Sequence, residues 1–132
     1  MTFAEQIAAR TLWQEARGEP EEGQRAVAHV IVNRIKDGRW GKSLASVCLA
    51  RAQFSGWNQS DPNRVASCIL ADDDPALEEF CGMIRQAQSG EDDPTYGSTH
   101  YYSTSVIIPP DWAATGEFVV QIGHHRFYRN VK

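Results

Sequence analysis

Glu15 is the residue whose placement asks most for a chemical explanation. At about 100° per residue, Phe3, Ala4, Ile7, Ala8, Thr11 and Leu12 share one helical stripe, and Glu15 falls near its middle. The polar side chains Gln6, Arg10, Gln14 and Arg17 lie opposite. A carboxyl on a core-facing stripe must be paired, protonated or functional, because an unpaired buried charge is too costly. Burial and the negative end of the helix dipole both oppose ionisation of Glu15, which is what a general acid at neutral pH requires. The residue types leave two readings open: a proton donor, or a structural carboxylate paired with Arg17, Arg25 or Arg34. Arg17 and Arg34 are expected to brace helix ends.

The other reactive side chains form weaker patterns. His29 points away from the apolar stripe of its helix and is expected in solvent. His100, His124 and His125 converge only if the late segments pair, and a zinc site needs a further carboxylate or thiolate. With no His-Glu-x-x-His helix and no calcium-loop spacing, neither a metal nor any other cofactor is expected. The runs Asp72-Asp73-Asp74 and Glu91-Asp92-Asp93 read as helix caps and solvated linkers. Three cysteines, Cys48, Cys68 and Cys81, cannot all pair within one chain, and buried thiols are expected.

The elements that must position these groups are mostly helical. A first helix covers residues 2–17, opened by a Thr2–Glu5 capping box and closed by Gly18, expected in the left-handed region, and Pro20. A second covers residues 22–36, with Val27, Val30, Ile31 and Ile35 as its core stripe and Asp37-Gly38 as its stop. Gly23 is expected to allow the two helices to approach closely. Shorter helices follow at 44–49, after Ser43, and at 62–69, with Pro62 at the first position. A longer one at 75–88 buries Leu77, Phe80, Cys81, Ile84 and Ala87. Residues 53–58 lack periodicity and read as an ordered loop. Residues 99–103 and 119–128, rich in β-branched and aromatic side chains, are expected to form two short strands or extended segments. Helices first and a small β element last imply one α+β domain over residues 1–132.

Composition narrows the function classes. The chain has 132 residues and is 42% apolar, enough for a real core. A net charge of −4 argues against a nucleic-acid partner, which needs a basic face. No apolar run approaches the ~20 residues of a membrane span, and no secretory leader is apparent.

The strings Leu12-Trp13-Gln14-Glu15-Ala16-Arg17-Gly18-Glu19-Pro20 and Glu22-Gly23-Gln24-Arg25-Ala26-Val27-Ala28-His29-Val30-Ile31-Val32-Asn33-Arg34 resemble the catalytic domain of the SleB/CwlJ family. These are cell wall hydrolases that include the spore cortex-lytic enzymes. The similarity continues through Gln53-Phe54-Ser55 with Trp57-Asn58, Gly97-Ser98-Thr99-His100-Tyr101-Tyr102 and Ile122-Gly123-His124-His125-Arg126-Phe127-Tyr128. The resemblance implies a lysozyme-like α+β fold, mostly helical with a small C-terminal β element. It implies action on peptidoglycan between N-acetylmuramic acid and N-acetylglucosamine, with Glu15 as the catalytic acid. It favours a lytic transglycosylase, which needs one Glu, over a hydrolase, for which Glu19 is the candidate second carboxylate. A wall-binding module without activity is the reading from another class, and a carboxyl tuned for protonation argues against it. Ser55, Trp57, Tyr101 and His124 are the expected sugar-binding side chains. Gly56 stands where some relatives carry a Cys, so Cys48 is expected free. With no leader or wall-binding repeat apparent, delivery to the wall by a phage particle or a holin fits, and so does a catalytic domain cut from a longer protein.

Overall fold

The computed structural model describes residues 1–50 and 53–132. Five helices come first: α1 (Phe3–Ala16), α2 (Glu21–Asp37), α3 (Leu44–Cys48), α4 (Pro62–Cys68) and α5 (Pro75–Gln88). A sheet of β1 (His100–Ser103), β2 (Glu117–Ile122) and β3 (His125–Arg129) follows, with single 3-10 turns at Ser55–Trp57 and Asp111–Ala114. The α+β expectation holds. Among the described residues no helix is long and apolar enough to cross a membrane.

Local chemistry sets most of the boundaries. Thr2 and Glu5 form the capping box of α1. Ser43, Asp61 and Asp74 accept N-terminal amide hydrogens of α3, α4 and α5 through their side chains, and Pro62 and Pro75 sit where an amide hydrogen is dispensable. Gly38 closes α2 at φ 88°, its N–H returning to the Arg34 carbonyl.

Helix α1 is the hub, packed by α2, α3, α4 and α5. Leu12, Val27, Val30, Ile31, Val47, Leu77, Ile84 and Phe127 are fully buried around it. This wrapping overturns the expected polar face. Arg10 and Gln14 are buried, because α4 and the chain leading into α5 cover that side. Arg10 donates to the Ser67 and Leu70 carbonyls and pairs with Asp72 at 2.9 Å, and Gln14 Nε2 donates to Ser67 Oγ at 2.8 Å. Phe3, placed on the stripe, is 77% exposed beyond the reach of the bundle.

His29 is also corrected: it is buried, with Nε2 3.0 Å from Glu91 Oε1. The Glu91–Asp93 linker folds over α2, and Asp93 accepts from Asn33, Thr95 and the Gly97 amide. Asp74 is the expected cap, whereas Asp72 serves Arg10. Gly18 is not left-handed, since α1 ends through Arg17 in the right-handed region. A Cβ on Gly23 would lie 3.2 Å from the Glu19 Cβ, so its smallness makes room for the α1–α2 connection and not for α1. All three thiols are free, with Cys48 and Cys81 buried as expected but Cys68 exposed at the open end of α4.

The late segments form three antiparallel strands in the order β1-β3-β2. The expected second strand is a hairpin, split at Gly123 (φ 58°). A Cβ there would meet Glu19 Oε1 at 2.7 Å, so position 123 needs glycine for both its backbone and its neighbour. Tyr101 pairs with Phe127 across β1–β3. The three histidines do not all converge: His100 faces Tyr128 at one end of that pair and His125 faces Ser103 at the other, beside His124.

Candidate active site

The last turn of α1 presents the half-buried Glu15 towards β1, where the Tyr101 hydroxyl donates to Glu15 Oε1 at 2.5 Å. Strand alternation turns Tyr101 to the same side as Phe127, with ring centroids 5.6 Å apart, and the His125 ring lies 4.7 Å away. Burial raises the Glu15 carboxyl above its ordinary value. The Tyr101 hydrogen bond and the Arg34 charge pull the other way, and Asp61, the cap of α4, adds to the rise. Burial and then the adjoining Glu15 hold the Tyr101 hydroxyl well above the usual tyrosine value, so it stays a donor. With Oε1 accepting from Tyr101, Oε2 is the oxygen left to carry a proton. Among the described residues no arginine pairs with Glu15. Arg17 instead binds the Trp13 and Gln14 carbonyls and Asn63, and Arg25 binds Glu21, Gln86 and Glu91.

Glu19 takes a different post. It accepts the His124 amide at 2.7 Å and meets His124 Nδ1 at 2.8 Å, with His125 Nδ1 at 3.7 Å. Burial opposes its ionisation, but the His124 bonds bring it below its ordinary value. It therefore stays a carboxylate clamped to the β2–β3 turn, paired with histidine and not with an arginine.

The Ser55–Trp57 turn sits directly on α1. Trp57 is half-buried and its indole N–H donates to Thr11 Oγ1 at 2.8 Å, while Ser55 is exposed. Gly56 is buried against Gln14, the neighbour of Glu15; a Cβ at 56 would lie 2.5–2.8 Å from Gln14 Oε1, Cδ and Cβ. Because Ser67 holds the Gln14 amide, the clash cannot be relieved freely. Gly56→Ala is expected to lower unfolding free energy by about 1–3 kcal/mol, the usual cost of overpacking, measured by denaturant titration. His124 is exposed on the hairpin turn, tied to the other end of this region through Glu19.

A cavity of about 440 Å³ opens beside Tyr101, lined by Arg34, Arg39, Trp40, Gln53, His100, Trp112 and Lys132 as well. Arg34 does not brace a helix end; its Nε reaches across to the Thr99 carbonyl at 2.7 Å, and its guanidinium lies 4.7 Å above the Trp40 ring. Trp40 and Trp112 were not among the expected binding residues. One follows the end of α2 and the other sits in a 3-10 turn, so neither belongs to a periodic pattern that would single it out. Burial raises Cys48 to about 12, which removes it as a nucleophile. Among the described residues no cluster of three or more His, Cys, Asp or Glu side chains is arranged to hold a metal ion.

A family model described as cell wall hydrolase matches residues 18–128, a span that begins just after Glu15. The chain is 30% identical over 122 residues to the spore cortex-lytic enzyme of Oceanobacillus iheyensis, and 28% identical over 125 residues to that of Bacillus subtilis. Each match covers 92% of this chain but only 40% and 36% of the relative, so the chain spans well under half the length of these proteins. Among solved structures, the catalytic domain of the germination-specific lytic transglycosylase SleB from Bacillus anthracis superposes with a TM-score of 0.74 at 25% identity, covering 98% of this chain and 97% of that one. The Bacillus cereus SleB catalytic domain gives 0.75 at 25% identity, with coverage of 96% and 89%. With the fold shared from end to end and the family model spanning most of the sequence, the chain belongs to the SleB/CwlJ family of cell wall hydrolases.

Proposed function

We propose that this domain cleaves peptidoglycan glycan strands between N-acetylmuramic acid and N-acetylglucosamine as a lytic transglycosylase, with Glu15 as its single catalytic carboxyl. The observation that carries the reading is the hydrogen bond from one neutral donor, Tyr101, to a carboxyl that burial pushes above its ordinary value. Glu15 Oε2 gives its proton to the glycosidic oxygen as the bond to the muramic anomeric carbon breaks. The resulting carboxylate accepts the proton of the muramic C6 hydroxyl, whose oxygen closes onto that carbon to leave an anhydro sugar. No water is consumed. The Tyr101 hydrogen bond and the Arg34 charge favour the carboxylate form, so both act when the proton has left. Ser55, Trp57 and His124 supply the sugar-binding surface around the end of α1, with aromatic faces and hydroxyl or imidazole groups suited to pyranose rings.

Hydrolysis would need a second free carboxylate, and Glu19 is engaged by His124. Glu19→Gln is accordingly expected to retain turnover within about tenfold, far from the loss that follows removal of a catalytic carboxyl. Digestion in heavy-oxygen water followed by mass spectrometry tests the reaction type: transglycosylation leaves the new end unlabelled. Incorporation of heavy oxygen, together with a collapse of activity in Glu19→Gln, would establish two-carboxylate hydrolysis.

A further inference from the structure

The cavity beside Tyr101 holds a charge that the proton chemistry of Glu15 leaves unanswered. Arg34 is 5% exposed, with Nε on the Thr99 carbonyl at 2.7 Å and Nη1 3.4 Å from Gln53 Oε1. Among the described residues none of the ion pairs includes it. Glu15 lies within its field, but no hydrogen bond joins the two. The neighbouring guanidinium is already satisfied: Asp37 accepts from Arg39 Nε at 2.8 Å and from Nη2 at 3.1 Å, and the Val131 carbonyl accepts from Nη1 at 2.7 Å. His100 adds no second positive charge at neutral pH, because burial and the Arg34 and Arg39 charges push it down to about 4. Trp40 and Trp112 wall the space, which Lys132 also lines.

A buried guanidinium without an anion is costly, and its planar fork matches a carboxylate. The glycan proposed above carries such a group: the acid of the lactyl ether on the muramic ring, free or extended by a peptide that ends in its own carboxylate. Resting on that reading, we propose that the cavity is a carboxylate subsite in which Arg34 anchors the acidic lactyl branch of the muramic residue. The domain then recognises acid-bearing muramic units, and chains whose lactyl acid is masked as an amide without further acid are poor ligands.

The test uses the Glu15→Gln protein, which binds without cutting, and isothermal titration with three disaccharides of N-acetylglucosamine and N-acetylmuramic acid. One has a free lactyl acid, one a lactyl carboxamide, and one an alanine amide-linked to the branch with its own free carboxylate. At least one acid is expected to bind about tenfold or more tighter than the carboxamide, and Arg34→Gln is expected to erase that margin. Preference for the first acid identifies the lactyl carboxylate as the ligand, and preference for the alanine form identifies the peptide carboxylate. Equal affinity for all three overturns the subsite while leaving the glycan reading intact. Binding of none overturns both. Because the ligand series is run on one folded protein, the result does not depend on how Arg34→Gln folds.

Discussion

Glu15→Gln is expected to reduce glycan cleavage by about a thousandfold or more while leaving the domain at least as stable at neutral pH. The rate loss follows from chemistry: the amide keeps the shape and can still accept from Tyr101, but it has no proton to give the leaving oxygen. The stability gain follows from linkage. Burial raises the Glu15 carboxyl above its unfolded value of 4.5, so the folded state holds this proton more tightly than the unfolded chain. That contribution is complete below pH 4.5 and is lost as pH rises through the folded value. At neutral pH the wild type therefore carries a cost that the glutamine variant lacks. Thermal melts across pH should show the variant above the wild type at neutral pH, with the gap closing in acid. A gap that does not vary with pH would contradict a desolvated carboxyl at this position.

Tyr101→Phe is expected to lower the rate by about 10- to 100-fold, the equivalent of one hydrogen bond to a charged group. The hydroxyl donates to a carboxyl that gains charge as the reaction proceeds, so its removal hurts the later state more than the resting one. The same bond lowers the Glu15 value, so its loss lets that value climb further. On the proposed mechanism, activity requires protonated Glu15 and falls as pH rises through its pKa. In Tyr101→Phe that alkaline limb should move to higher pH. Phenylalanine fits the packing against Phe127 and His125, so a merely structural role would reduce activity without moving the limb.

How far the sequence can be read is clear from α1. Helical phase places Glu15 on the inward side of α1, because the periodicity that buries Leu12 and Ala8 also fixes the direction of a residue at the helix end. The same wheel misplaces Arg10 and Gln14. A phase argument describes the helix's own two faces, but it carries nothing about how many neighbours will pack around them. Here α4 closes over the polar side, and the long Arg10 side chain satisfies carbonyls more than fifty residues away. His29 fails for a related reason: a linker 62 residues on brings Glu91 to it. The caps at Thr2 and Asp74 were legible because their chemistry is confined to a few residues. The hairpin turn at Gly123 was not, since its glycine answers to the distant Glu19 as much as to its strands. The contact between Glu15 and Tyr101 lies between these extremes. Each residue stands in a recognisable block, but the strand register that unites them is a property of the fold.

The most direct test of Glu15 as the single carboxyl of a transglycosylase is mass spectrometry of the soluble products of purified peptidoglycan, digested in parallel by wild type and Glu15→Gln. Anhydromuropeptides, lighter by one water than their reducing-end counterparts, should appear with the wild type alone. Reducing-end products from the wild type, or the same anhydro products from Glu15→Gln, would contradict it.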